Sequence, residues 1–278
     1  MVTNTTRMSN KAGGSAGVGE IKIRIEGIYD TRTMQFLKRS GVEHYSFDMR
    51  PRSFNFLQQH RFFEIVERHF AADYYFYLRY EGEKDFVIKK MLDDIAEKGI
   101  LSRESFLLEF SDNQQAEYYE SLGHPFLWHY QEGDEAKLHE LLPLVNFRGL
   151  VFSQRFFQEA HRLGRWYSLL NQLLSGMGVG PLGRDSARPT VVLTSDWNFS
   201  HNFYRLLNSP YFSDHVDQHD KHDKHDQHGQ ALGVDIFSLP IDSSVEVCYR
   251  NVDFYKLDHE LKLVPKELVS TTYAPYSS

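Results

Sequence analysis

Several short stretches of the chain alternate ionisable side chains with bulky apolar ones. Lys22, Arg24 and Glu26 do so in IKIRIE, and His44, Ser46, Asp48 and Arg50 in VEHYSFDMR. Tyr75, Tyr77, Arg79 and Glu81 do so in DYYFYLRYE, and Glu109 and His129 hold comparable positions in ESFLLEF and PFLWHY. Alternate residues of a β-strand share one face, so each stretch would gather its charges on one side and its hydrocarbon on the other. The carboxylates Glu26, Asp48, Glu109 and Asp196 are therefore candidate general acids and bases. Arg50, Arg52, Arg79, His129, Ser153 and Ser238 are candidate contacts for a polar ligand. A pair such as Glu26 and Glu109 could act together as in glycoside cleavage, if their separation suits it. The same residues also admit a purely structural role. A lone buried charge costs several kcal/mol, so Arg24, Arg50 and Arg79 must pair with Glu26, Asp48 and Glu109. Lys22 and Arg24, the lower layer, suit a structural lattice best, while Glu26, Asp48, Arg50 and Arg79 suit a ligand equally well.

A second cluster lies at 209–233, where His215, His219, His222, His225 and His228 are interleaved with aspartates. His219, His222 and His225 could hold zinc or nickel weakly, and no other cofactor is expected. The repeated HDK and HDQ triplets read equally as a simple repeat expansion forming a solvated insertion, or as a segment that responds to pH. Cys248 has no base nearby in sequence and is expected to be an inert thiol. P-loop and H-E-x-x-H motifs are missing, and the strings that match G-x-S-x-G (13–17) and G-x-G-x-x-G (178–183) fall in the expected tail and in a Gly/Pro-rich loop rather than after a strand, so nucleotide, zincin and esterase chemistries have no motif in its proper setting behind them.

The elements that must position these groups follow from hydropathy. Short apolar or alternating runs at 21–26, 42–49, 73–80, 104–110, 125–130, 147–153, 190–195 and 234–238 are each followed by a helical pattern. Expected helices include 54–70, one continuous span over 155–174, another over 200–208 and a last one near 254–264. An alternating β/α series favours a parallel sheet covered by helices. Eight units over about 250 residues fit a single closed (β/α)8 TIM barrel better than an open doubly wound sheet. The barrel is expected over 20–268, with the His/Asp-rich insertion at 209–233 before the last strand. Residues 1–19 read as a disordered tail, 269–278 as a C-terminal tail and 176–189 as a Gly/Pro-rich loop. The strand ends would bring the charged ring to the C-terminal mouth, where barrel enzymes build their sites.

Composition narrows the partners. With 31 Lys+Arg against 38 Asp+Glu the net charge is −7, which argues against nucleic acid. A mean hydropathy of −0.49 and the lack of an apolar run of about 18 residues argue against a membrane span. One cysteine and a start without the apolar middle of a signal peptide lead to the expectation of a cytoplasmic protein. A small polar molecule is the expected partner, and oligomeric state is left open.

The opening segment, IKIRIEGIYDTRTMQFLKRSGVEHYSFDMRPRSFNFL, resembles the start of phosphoribosylanthranilate isomerase, the barrel enzyme of tryptophan synthesis. There a K-I-C-G-I strand is followed by a helix, G-A-D, a second strand and P-K-S-P-R-Y. LGVDIFS, SSVEV and NVDFYKLDHEL similarly resemble the family's G-V-D-V-S-S-G-V-E and its final helix, and TSDWNFSHNFYRLL stands where the family has G-G-L-x-P-E-N-V. The resemblance implies a TIM barrel whose catalytic positions have changed. Glu26 stands where the family has its cysteine base, and Ser153 where it has its aspartate acid. Asn55 replaces an arginine, Ser195 and Asp196 replace the phosphate-cradling glycines, and Pro240 removes an amide near the phosphate. An aspartate beside a phosphate dianion is repulsive. Three expectations follow: a barrel that has lost isomerisation and binds a small polar ligand at its charged mouth; an acid-base enzyme using Glu26 on an unphosphorylated sugar-like or carboxylate substrate; or a residual isomerase.

Overall fold

A computed structural model of the chain describes residues 21–71, 73–176, 189–198 and 234–264. The expected tails, the 177–188 connection, the helix at 200–208 and the insertion at 209–233 with His219, His222 and His225 lie outside the described residues. Eight parallel strands close into a barrel in sequence order: β1 Lys22–Glu26, β2 His44–Asp48, β3 Tyr75–Tyr80, β4 Phe106–Phe110, β5 Phe126–His129, β6 Phe147–Ser153, β7 Thr190–Thr194 and β8 Ile236–Pro240. The ring closes between β1 and β8, with Arg24 opposite Ser238 and Glu26 opposite Pro240. The helices are α1 Thr31–Arg39, α2 Gln59–His69, α3 Asp85–Lys98, α4 Ala116–Leu122, α5 Glu135–Leu141, α6 Gln154–Arg162, α7 Trp166–Gly176 and α8 Phe254–Leu263. Among the described residues no helix is long and apolar enough to cross a membrane.

Strand alternation separates two cores. Outward-facing Tyr45, Phe47, Phe76, Phe110, Phe126 and Phe147 join the layer between strands and helices, where rings meet edge to face, as Phe47 and Phe62 do at 5.3 Å between centroids. Such pairs add directional stabilisation to plain burial. Inside the barrel, Tyr77, Leu127, Val151, Val192 and Ile236 form a separate small apolar cluster. The Arg24 guanidinium sits 4.8 Å from the centre of the Tyr77 ring, so an ionic layer rests on this apolar floor.

Three local expectations are corrected. The span 155–174 is two helices, because Gly164 takes a left-handed φ of 67° and its amide closes onto the His161 carbonyl. A continuing helix cannot pass through that conformation. The second helix starts at Gln59 rather than residue 54, since Phe56 bridges to Asp48 and the Leu57 amide donates to the Asp48 carbonyl. A two-stranded hairpin, β9 Glu246–Cys248 and β10 Asn251–Val252, precedes α8. It turns at Arg250, a non-glycine with φ 56° whose guanidinium lies 4.9 Å over the Tyr29 ring.

Two buried histidines make this fold acid-sensitive. His44 is pushed down to about 3 by burial, with Arg24 and Lys22 adding to the effect. Burial lowers His124 to about 4 against the opposing pull of the Phe106 carbonyl. The unfolded chain takes up both protons near pH 6.5, whereas the folded protein refuses them until far lower. Stability should therefore fall as pH drops below 6.5, by roughly 1.4 kcal/mol per pH unit for each histidine. Urea unfolding at pH 7, 6 and 5 checks this; a midpoint unchanged over that range would contradict it.

Candidate functional site

Strand β1 turns two polar residues, and β3, β4, β5 and β8 one each, toward the same part of the barrel. Arg24 is the hub. Its Nη1 donates to Glu109 Oε2 at 2.5 Å, its Nη2 to Glu26 Oε1 at 2.6 Å and its Nε to Ser238 Oγ at 2.7 Å. Ser238 in turn donates to Glu26 Oε1 at 2.6 Å. The other Glu109 oxygen, Oε1, lies 2.6 Å from His129 Nε2. Arg79 completes the group, with Nη1 3.9 Å from Glu26 Oε2. Arg24 and Glu109 are fully buried, whereas Glu26, His129 and Arg79 keep 15%, 14% and 22% of their side-chain surface exposed.

Arg24, expected in a lower structural lattice, is paired with carboxylates at its own level and above. Two residues along a strand span about 6.6 Å, which an arginine side chain can cover. Arg24 therefore reaches from its own level to the carboxylate one step above, and side-chain length was the signal available in the sequence. Burial works against the charge on Arg24, but Glu109 and Glu26 more than offset it and raise its proton affinity.

Burial alone would raise both carboxyls. Arg24 reverses this at Glu26, against repulsion from Glu109 and with help from Arg79, leaving the group below the usual carboxylate range. At Glu109, Arg24 and a hydrogen bond from His129 do the same. His129 is lowered by burial and by Arg79, against the pull of Glu109, and is neutral near pH 7. A neutral imidazole beside an anionic carboxylate donates Nε2–H to it, which leaves Nδ1 as an acceptor.

The remaining candidates stand apart. Asp48 accepts from Arg50 Nε at 2.8 Å, Arg50 Nη2 at 2.6 Å and Ser53 Oγ at 2.5 Å, and Arg50 also reaches Glu81 at 2.8 Å. Burial raises Asp48, but the bonds from Arg50 and Ser53 prevail and hold it low. The expected single network is thus two: one at the barrel centre and one that fastens the β2–α2 loop. Arg52 is exposed on that loop. Ser153 is the N-cap of α6, its hydroxyl accepting the Phe156 amide at 3.1 Å. Asp196 is exposed and its carboxylate accepts the Asn198 amide at 2.9 Å, while Ser195 bonds Gln154. Asn55 donates to the Ile241 carbonyl at 2.6 Å and packs on Gly27, whose φ of 76° and missing Cβ make room for it. Among the described residues no group of three or more histidine, cysteine or acidic side chains could hold a metal ion.

Replacing Arg24 with Met should strand two buried carboxylates, at a cost of about 3–5 kcal/mol. The deficit relative to the wild type should shrink as pH is lowered and the carboxylates take up protons. Urea denaturation at pH 7 and pH 4 measures both; an equal deficit at the two values would contradict the assigned hub.

No family model matches the sequence, and no curated protein matches it significantly. Solved structures do. Phosphoribosyl anthranilate isomerase from Thermotoga maritima aligns over 87% of this chain and 97% of its own, with 12% identity and a TM-score of 0.54. A TrpF from Jonesia denitrificans gives 87%, 95%, 11% and 0.52 in the same order. A phosphoribosyl anthranilate isomerase bound to reduced 1-(o-carboxyphenylamino)-1-deoxyribulose 5-phosphate gives 87%, 97%, 10% and 0.53. At such identities the likeness is one of fold: the chain is a closed (β/α)8 barrel of the shape that these isomerases have.

Proposed function

We propose that this barrel binds a small carboxylate-bearing polar molecule at its C-terminal mouth, with Arg79 as the principal contact, and that it does not isomerise phosphoribosylanthranilate. The observation that carries the reading is the incomplete pairing of Arg79. Its Nε is buried without a hydrogen-bond partner, and among the described residues its one ion-pair contact is the 3.9 Å approach to Glu26. A guanidinium offers five donors in a fork that matches a carboxylate two at a time. A buried donor left unpaired costs about 1–3 kcal/mol, which an incoming carboxylate can recover. By contrast, Arg24 is fully engaged and Arg50 is paired with Asp48 and Glu81.

Carboxylate is favoured over phosphate. Ser195 and Asp196 stand where the resembling family has its phosphate glycines, and a negative side chain there disfavours a dianion. Ser153, at the position of the family's general acid, caps a helix and has no proton to give near neutral pH. A second reading, an acid-base enzyme using Glu26, is supported by Glu26 Oε2, which has no donor closer than Arg79 among the described residues. That oxygen can accept a proton from a bound molecule, although Arg24 holds the carboxyl low and makes it a weak base.

Thermal-shift and calorimetric titration with succinate, malate and gluconate should detect binding by the wild type. Arg79→Met should abolish it while the unfolding midpoint without ligand stays within a few degrees of the wild type. Undiminished affinity in the variant would overturn the assignment. Expression in a tryptophan auxotroph lacking phosphoribosylanthranilate isomerase should give no growth; growth would overturn the exclusion of that activity.

A further inference from the structure

We propose that the mouth selects hydroxy carboxylates, and that His129 is the residue that reads the hydroxyl, held in the required tautomer by Glu109. This rests on the reading of Arg79 as the carboxylate contact and specifies the ligand class for that same site.

The argument is one of hydrogen-bond complementarity. Arg79 can only donate, and Glu26 as a carboxylate can only accept. His129 has its Nε2 within 2.6 Å of Glu109 Oε1, and Glu109 is itself fixed through Oε2 by Arg24 at 2.5 Å. A carboxylate so anchored cannot donate, so the hydrogen between it and the imidazole belongs to Nε2. In the neutral imidazole, the form that burial favours, Nδ1 keeps its lone pair, and no hydrogen bond to it forms within the described residues. The mouth thus presents one multiple donor, Arg79, with one acceptor, Glu26 Oε2, 3.9 Å from it and a second, His129 Nδ1, on the far side of the Glu109 strand. Register places Arg79 directly opposite Glu109, the partner of His129, so Arg79 on β3 and His129 on β5 flank the Glu109 strand from its two sides.

The complementary ligand is an acceptor with donors next to it, which describes a carboxylate bearing a neighbouring hydroxyl. A plain carboxylate would fill Arg79 and leave His129 Nδ1 facing hydrocarbon. An unpaired polar group is penalised far more than a merely absent contact. An α-amino acid also sets a donor beside a carboxylate, but its ammonium calls for an uncompensated negative charge. Glu26 has already spent its charge on Arg24 at 2.6 Å and shares its oxygen with Ser238. A neutral acceptor beside a compensated carboxylate suits a neutral hydroxyl.

Glu109 acts here as a positioning residue. Without its anchored carboxylate the imidazole could place its hydrogen on either nitrogen, and a fraction of the molecules would offer a donor where an acceptor is needed. The Glu109–Arg24 pair therefore fixes the specificity of His129 from beneath.

The test uses matched ligands on the full-length protein. Malate should bind about tenfold tighter than succinate, and lactate about tenfold tighter than propionate, with aspartate and alanine weaker than the corresponding hydroxy acids. His129→Phe should bring malate down to the affinity of succinate and leave succinate little changed. Nitrogen-15 NMR of the labelled wild type should find His129 with Nε2 protonated and Nδ1 bare at neutral pH, a signature that holds whether or not the variant folds. Equal affinities within each pair, preference for the amino acids, or the opposite tautomer would each overturn the inference while leaving the Arg79 site standing. If none of these carboxylates bound, the underlying reading would fall as well.

Discussion

Two carboxylates are held inside a barrel by one guanidinium, and the rest of the mouth is built around that constraint. Arg24 lies on a strand that pairs with both β2 and β8, so its level in the lumen is set by the closure of the barrel. Glu26, Glu109 and Ser238 come from β1, β4 and β8, and all three point at its five N–H groups. A buried ion pair stabilises little overall and is severely penalised when one partner is removed. Its value here is directional. With Arg24 committed to its three partners, the open faces of Glu26, Arg79 and His129 are fixed relative to one another.

The sequence made one face of this arrangement legible and hid the other. Alternation in IKIRIE and VEHYSFDM was enough to turn Arg24, Glu26, His44 and Asp48 inward, because Ile25 and Phe47 have to reach the helix layer. The division of the charges was not legible. Asp48 is tied to Arg50 and Ser53 by contacts within five residues, whereas Glu109 meets Arg24 across 85 positions of sequence. Only three-dimensional register decides between such partners. Ser153 illustrates a different ambiguity. At the end of a barrel strand a serine reads as a ligand contact, yet the same residue begins α6, and the helix needs its hydroxyl for the Phe156 amide.

The outer aromatic layer and the order of strands keep the shape of the isomerase barrels, at identities near 12%. Such a layer tolerates exchange among large apolar residues so long as volume and patterning persist. The positions that carry function at the mouth obey other rules, since each depends on a hydrogen-bond partner elsewhere in the ring. Changing one of them would change what its neighbours can do: Asn55, for example, joins the β2–α2 loop to the backbone after β8.

The hairpin before α8 also shapes this side of the barrel. Glu246 takes the Tyr29 hydroxyl at 2.7 Å, Tyr249 meets Phe54 with ring centres 4.6 Å apart, and Arg250 covers Tyr29. Together with Asn55 these contacts lash the segments after β8, β1 and β2 into one unit. A molecule arriving at Glu26 consequently meets a wall that is already stiff, and there is little local freedom left for it to quench. For a ligand of the proposed kind, discrimination on that flank would be a matter of fit to segments already tied to one another.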